Sequence, residues 1–370
     1  MKIGILTMNR IINYGSFLQA YGLQQMLRSL GHEVEFMDIG PEQRSYRQLA
    51  AKNPKYRINM LKARIHELLG HEEVARTMRS EQGRWYFSYH LRTQFPRWWK
   101  KWLGMDYEDN LNCRYDAVVI GSDEVFNCTQ NVDWTASMKW FGEGIEAEKL
   151  ISYAASFGYT TMQRLEEFGL LEGVKKGLRR MDALSVRDEN SRQIALACGA
   201  EPVNHLDPVL VYDYESMIPE DKRLKDVMIV YSYQDRLTEE SVIRQIKQIA
   251  RDEGLLLVSL GAYHDWCENP VVSPFEVLRY FKNAKYVVTD TFHGSIFSMK
   301  FATPFAAIVR DSNTQKLTDL LQRMGQTEAI VSVEDDISPV LHRTMPAAQL
   351  QEKILAERQR TMAYLKENLQ

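Results

Sequence analysis

The stretch Tyr286 to Ile308, YVVTDTFHGSIFSMKFATPFAAI, admits few backbone arrangements. Tyr286-Val287-Val288-Thr289 is a β-branched and aromatic run suited to a buried strand. Asp290 to Ser295 is a polar turn with one glycine. Ile296, Phe297 and Phe301 then fall at helical spacing, Pro304 ends the helix, and Phe305 to Val309 resumes as strand. A strand that opens into a helix through Asp290, Thr291, His293, Gly294 and Ser295 is a ready anion site. Free N–H groups and the helix dipole there favour a phosphate or carboxylate. The alternative is that Asp290 or Thr291 only caps the helix and His293 is incidental.

The same alternation runs through most of the chain. Lys2–Thr7 reads as a strand, Phe17–Leu30 as a helix closed by Gly31, and Val34–Ile39 as a strand. Between the first two lies the turn Asn13-Tyr14-Gly15-Ser16, which lacks the GxGxxG spacing of a nicotinamide or flavin site. Tyr115–Ile120 is a strand running into Gly121-Ser122-Asp123-Glu124, and Leu150–Ala155 one running into Ser156. Ala183–Val186 runs into Arg187-Asp188, and Val203–Val211 carries Asp207-Pro208. In a parallel sheet these polar ends share one rim. A charged, Pro-containing linker, Tyr212 to Asp226, precedes a second α/β unit. There Ile308-Val309 ends in Arg310-Asp311-Ser312, and Lys316 opens a helix stopped by Gly325. The expected division is 1–215, 226–345 and a terminal helix over 346–370.

Residues 41–112 break the pattern. Between Arg44 and Lys101 stand fourteen Lys/Arg and four Asp/Glu, a balance of +10 in a chain of net charge −3, so the remainder carries −13. The stretch reads as a helical insertion in the first unit, with Trp98-Trp99-Lys100-Lys101-Trp102 as its basic aromatic cluster. The cluster is expected to be a lid over an anionic substrate, a patch touching anionic lipid, or aromatics packed on the first unit beneath solvated charge.

Three function classes recede. The net charge gives no reason to expect nucleic acid as a partner. No apolar run approaches the ~20 residues that cross a bilayer. Cys113, Cys128, Cys198 and Cys267 have no CxxC spacing, which favours a reducing compartment over disulfides or a zinc site. Met1 leads straight into a strand, so no signal peptide and a cytoplasmic location are expected.

Two Rossmann-like domains facing each other, with a terminal helix, point to a glycosyltransferase-B-like α/β architecture. The ordered segments INYGSFLQAYGLQ, YDAVVIGSDEVF, ISYAASFG, LSVRDENS, LDPVLV and TDTFHGSIFSMKFATPFAAI resemble the polysaccharide pyruvyl transferase family over about Lys2 to Gly325. The resemblance implies a cytoplasmic enzyme that takes pyruvate from phosphoenolpyruvate. It would place that pyruvate as a cyclic ketal on two hydroxyls of a sugar in a surface-glycan precursor and release phosphate. It implies no nicotinamide or metal cofactor. The acceptor would be a sugar or a lipid- or nucleotide-linked glycan; peripheral contact with the inner membrane is a further expectation, in line with the basic aromatic cluster. The family's second-domain histidine, a catalytic candidate, falls on His293; its GSD turn falls on Gly121-Ser122-Asp123 and its SVR turn on Ser185-Val186-Arg187. Where many relatives carry Gln and Trp after GSD, this chain has Glu124 and Phe126.

Such chemistry needs an acid for the enol methylene and a base for the sugar hydroxyl. His293 with Asp290 or Asp123 could divide those tasks. Asn13, Gly15, Ser16, Ser122, Arg187, Gly294, Ser295, Arg310 and Lys316 are the candidate substrate-binding residues. Competing roles are capping for Asn13, Ser16 and Asp123, an ion pair with Asp188 or Asp207 for Arg187, and a solvated surface site for Lys316. Asp207-Pro208 itself reads best as a turn. Nucleotide-sugar glycosyl transfer and non-catalytic carbohydrate binding are the alternative functions.

Overall fold

Among the described residues, eleven strands build two parallel sheets. The computed structural model describes residues 1–39, 55–130, 133–220, 226–310 and 313–370. The first three cations of the expected insertion (Arg44, Arg47 and Lys52), part of the linker, and Asp311 and Ser312 lie outside the described residues. The strands are β1 (Lys2–Leu6), β2 (Glu33–Phe36), β3 (Arg114–Asp123), β4 (Glu146–Ala155), β5 (Ser185–Val186), β6 (Val203–Asn204), β7 (Val227–Tyr231), β8 (Leu256–Leu260), β9 (Tyr286–Thr289), β10 (Phe305–Ile308) and β11 (Ile330–Val331).

The first sheet has the order β2-β1-β3-β4-β5-β6 and the second β11-β10-β9-β7-β8. Every pairing is parallel, for example Ile3 opposite Ala117 and Val230 opposite Val288. Helices cover both faces of each sheet, so central strands such as β7 and β9 are buried along their whole length. Both orders reverse next to their first strand, between β1 and β3 and between β7 and β9. In open parallel sheets that reversal leaves a crevice at the strand carboxyl ends.

Three boundaries differ from expectation, each for a physical reason. The first helix runs Tyr14–Ser29, not Phe17–Leu30, because Asn13 caps it by accepting from the Gly15 and Ser16 N–H groups at 2.8 and 3.1 Å. The second-unit helix begins at Phe292 under a Thr291 cap, so His293, Gly294 and Ser295 are helical rather than part of a turn. The segment Val203–Val211, expected to turn at Asp207-Pro208 ahead of a strand, has its strand first, Val203–Asn204, and then a helical turn, Pro208–Val211. Pro208 is pre-shaped for the first position of that turn, and Asp207 caps it through the Val209 N–H at 2.9 Å.

The described part of the insertion is a helical hairpin, Tyr56–Leu68 and Glu72–Trp98. Pro96 sits in the last turn of the long helix, and the ladder then opens into a π-helical turn, Trp99–Leu103, closed by Gly104 at φ 72°. At Trp98–Trp102 the lid and the lipid patch give way to the third reading, aromatics packed inward beneath surface charge. Trp98 and Trp99 are buried, Lys100 pairs with Asp106 at 3.1 Å, and Lys101 lies over the Trp102 ring. These rings fill the seam between the two α/β units: Phe95 meets Tyr14 at 5.4 Å, and Trp102 meets Phe275 at 5.1 Å. Each fully buried ring of this kind contributes on the order of 2–3 kcal/mol.

The last helix, Ala347–Asn368, crosses back from the second unit to the first. Gln351 Nε2 donates to the Lys300 carbonyl at 2.9 Å, and Tyr364 Oη donates to the Ser152 carbonyl of β4 at 2.8 Å.

Candidate active site

The two crevices face each other, and their polar strand ends meet. From the first unit come the Asn13 cap after β1, the end of β3, Arg187 after β5 and Asp207 after β6. From the second come Ser232 and Tyr233 after β7, Asp290 to His293 after β9, and Arg310 after β10.

The end of β3 is held in an unusual shape. Gly121 has φ 118°, and a Cβ there would lie 2.3 Å from the Tyr153 carbonyl oxygen, so glycine is required. Asp123 follows with φ 74°, a left-handed conformation that is costly for a residue with a side chain. Its carboxylate accepts the Ser16 hydroxyl at 2.7 Å and the Arg187 guanidinium at 3.4 Å. Arg187 also donates to Asp207 at 2.8 Å, and its guanidinium stacks over the Phe292 ring at 4.4 Å. Ser122 Oγ donates to the Ala154 carbonyl at 3.0 Å and lies 3.3 Å from Asp207. Burial alone would weaken the Arg187 charge, but Asp123 and Asp207 outweigh it and raise its pKa. Burial would likewise raise the Asp207 carboxyl; His293 and Arg187 outweigh that and hold it low.

His293 completes this line from the other side. Its Nε2 is buried, makes no hydrogen bond, and approaches Asp207 Oδ2 at 3.7 Å, a charge contact longer than a hydrogen bond. The ring lies against the first helix, where a Cβ on Gly15 would be 2.1 Å from its Cγ. Gly15 therefore serves close approach. Gly294 does too, since a Cβ there would be 2.2 Å from Thr289 Oγ1. The expected free N–H donors are corrected: Gly294 N–H is bound by Thr291 Oγ1 at 2.9 Å and Ser295 N–H by the Thr291 carbonyl at 3.3 Å.

A second group borders the first. Asp290 is 1% exposed, and neither carboxylate oxygen reaches a donor in good hydrogen-bond geometry. Burial pushes its pKa up against the opposing influence of Arg236, Arg310 and the Tyr233 N–H. Arg310 chelates Glu239 and lies 3.9 Å from Asp290. Lys316 is no solvated lysine: it bridges the units, with Nζ 2.7 Å from Glu124 Oε1. Burial would raise the Glu124 carboxyl, yet Lys316 and Arg187 bring it down to about 2. Arg323 adds a further tie by donating to the Arg187 carbonyl at 2.7 Å.

Of the expected residues, Ser16, Ser122, Asp123, Arg187 and His293 share one cluster. Asp290, Arg310 and Lys316 form the adjoining one. Asn13, Gly15, Gly294 and Ser295 shape the backbone. Sequence reasoning gave Asp207 a turn and an ion pair with Arg187 but no place among the site residues, and gave no role to Arg236, Arg323 or Tyr233. A cavity of about 60 Å³ opens beside Thr291, lined by Asn13, Tyr14, Leu91, Phe95, Tyr231 and Tyr233 among others. Among the described residues no group of three or more His, Cys, Asp or Glu is placed to hold a metal ion. Chemically, the arrangement offers an imidazole beside a fixed carboxylate, a second carboxyl biased toward its acid form, and cations suited to an anionic ligand.

No curated protein matches the chain significantly. Among solved structures it is similar to UDP-GlcNAc 2-epimerase from Neisseria meningitidis bound to UDP-GlcNAc, at 10% identity over 100% of this chain and 99% of that one, with a TM-score of 0.49. UDP-N-acetylglucosamine 2-epimerase from Rickettsia bellii gives 12% identity, 100% and 98% coverage and a TM-score of 0.49. The spinosyn rhamnosyltransferase SpnG gives 11%, 100%, 99% and 0.47. The family model described as polysaccharide pyruvyl transferase matches residues 13–312, a span that holds every site residue named from sequence except Lys316. The chain belongs to the polysaccharide pyruvyl transferase family.

Proposed function

We propose that the protein transfers pyruvate from phosphoenolpyruvate to two hydroxyls of a sugar in a surface-glycan precursor, as a cyclic ketal, in the cytoplasm. The observation that carries this reading is the Asp123–Arg187–Asp207–His293 line across the cleft, beside a buried Asp290 and the cations Arg236, Arg310 and Lys316. Each cation now faces a carboxylate, so the donor's phosphate and carboxylate would take over contacts that already exist. A group in its acid form, Asp290 or protonated His293, delivers a proton to C3 of the enol. C2 becomes electrophilic, the first sugar hydroxyl adds to it, and a base takes the hydroxyl proton. The C2–O bond to phosphate then breaks, its electron pair leaving with phosphate, and the second hydroxyl closes the ring. One hydroxyl proton restores the acid and the other leaves with phosphate, so the balance closes without an outside reactant or cofactor. Asp207 keeps the imidazole oriented, and Arg187 keeps Asp207 ionised.

Incubation with phosphoenolpyruvate and a panel of lipid- and nucleotide-linked glycans, read by phosphate release and by a ketal methyl signal in the product, tests this. Release of a nucleotide from a nucleotide sugar, with none of phosphate from phosphoenolpyruvate, would replace the reading with glycosyl transfer.

A further inference from the structure

We propose that the helix Tyr56–Leu68 docks the protein in the plane of an anionic lipid bilayer. This surface is separate from the cleft and does not depend on the reaction assigned to it. Sixteen large hydrophobic side chains stand exposed among the described residues, and six of them fall between residues 58 and 74. They are Ile58, Leu61, Ile65, Leu68, Leu69 and Val74, exposed by 47 to 80%.

The arrangement is directional. The helix packs on Glu72–Trp98 through Ala63, which is wholly buried. At ~100° per residue, Ile58, Leu61, Ile65 and Leu68 fall within an arc of about 80° on the face opposite Ala63. They form an apolar stripe about 15 Å long. Exposed cations border it on both sides: Arg57 and Arg64 on one flank, Lys62 on the other. No acidic residue stands between Tyr56 and Ile65, and Glu67, the first to follow, is engaged by Arg79. Apolar side chains between two rows of cations are what an in-plane helix presents to acyl chains and acidic headgroups.

Charge also selects the occupant. A second copy of the chain seated on this stripe would set its own rows of Arg and Lys against Arg57, Lys62 and Arg64, with no free carboxylate on either helix to pair them. A surface of anionic lipid matches both the stripe and its flanks. No helix among the described residues is long and apolar enough to cross a membrane, so the contact lies along the surface. The long helix beneath the stripe, Glu72–Trp98, runs on to the cleft, where Leu91 and Phe95 line the cavity beside Thr291.

Vesicle flotation of the intact protein tests the proposal, with vesicles of phosphatidylglycerol and phosphatidylcholine in equal parts and vesicles of phosphatidylcholine alone. The protein is expected to float with the mixed vesicles, to release at high salt, and to stay behind with phosphatidylcholine alone. The double variant Leu61→Asp/Ile65→Asp should abolish flotation. The triple variant Arg57→Gln/Lys62→Gln/Arg64→Gln leaves the stripe intact and should weaken flotation at least ~10-fold. All five substitutions lie on solvent-facing positions, so thermal melts should match the parent. The proposal is overturned by failure of the parent to float, by equal flotation with phosphatidylcholine alone, or by variants that float like the parent. Sedimentation showing a dimer that the Asp variant dissolves would assign the stripe to a second copy and overturn it equally.

Discussion

His293 and Asp207 are 86 positions apart in sequence, sit on opposite α/β units, and bring Nε2 and Oδ2 to 3.7 Å. The imidazole enters on the first turn of a helix whose Gly294 and Ser295 N–H groups are taken by Thr291, and the carboxylate is fixed by Arg187 and by the Val209 N–H. A ring so placed can carry a proton between donor and acceptor while the carboxylate holds its orientation. His293→Ala should lower kcat by on the order of 10²–10⁴-fold, the span of a general acid–base residue. His293→Asn should be nearly as inactive, because an amide keeps a hydrogen bond but cannot shuttle the proton. Phosphate release under saturating donor is the measurement. An Asn variant with most of the turnover would leave His293 a positioning residue and move the acid role to Asp290.

Asp290 should trade stability for activity. Its carboxyl is buried without a good partner, and its pKa is raised in the folded state. A carboxyl raised on folding favours the folded state while protonated and opposes it once ionised. Asp290→Asn should therefore stabilise the protein above the folded pKa, by about 1–3 kcal/mol if the amide finds partners, and the gain should disappear in acid. Turnover should fall at the same time. Urea unfolding at several pH values, set beside phosphate release, checks both. An Asn variant that is no more stable at neutral pH, or that turns over normally, would remove Asp290 from the chemistry.

Glu124 and Lys316 should make the closed cleft acid-sensitive. The Glu124 pKa falls from 4.5 to about 2 in the folded protein. A depressed carboxylate stabilises fully above its unfolded value, and this stabilisation fades as pH falls toward the folded one. The loss between about pH 5 and 2 should amount to on the order of 3 kcal/mol, and Glu124→Gln should flatten that part of the urea profile. Lys316 is raised by the same partner, so its share persists through neutral pH and fades only in strong base. Parallel acid profiles for parent and Glu124→Gln would show that the bridge does not couple the units in solution.

How much of this was legible depends on the range of the interaction. The strand–turn–helix around His293 is local, and its residue types suggest an anion site there with capping as the competing reading; the catalytic role of His293 comes only from the family resemblance. The boundary of the first helix was missed by three residues because thirteen of its sixteen residues are buried, which erases amphipathic periodicity. Asp207 was assigned to a turn because its neighbour Pro208 signals one, and that signal holds locally: the pair does cap a helical turn. Its ion pair with Arg187 is one of the alternatives the sequence offers, and the structure bears it out; its contact with His293 spans the two units and leaves no spacing to read. The basic character of the insertion was plain from composition. Which of its faces is exposed was not: Trp98 and Trp99 went inward while Leu61 and Ile65 stayed out, because the seam between the units takes the larger rings.

Gly15 offers the sharpest test of how the two units meet. It lies in the first turn of the Tyr14–Ser29 helix, where alanine would otherwise be favoured by about 1 kcal/mol. Yet an alanine Cβ would stand 2.1 Å from His293 Cγ, far inside contact distance. Gly15→Ala should therefore turn the imidazole away from Asp207 or push the units apart, and kcat should fall at least ~10-fold even though the helix itself gains. The clash needs both side chains, so the two effects on stability should not add. In a His293→Gly background the ring is gone, and Gly15→Ala should become neutral or stabilising in urea unfolding. That reversal of sign distinguishes a steric contact across the cleft from a general effect on the helix. A destabilisation of the same size in both backgrounds would mean that the His293 ring does not rest on Gly15 in solution.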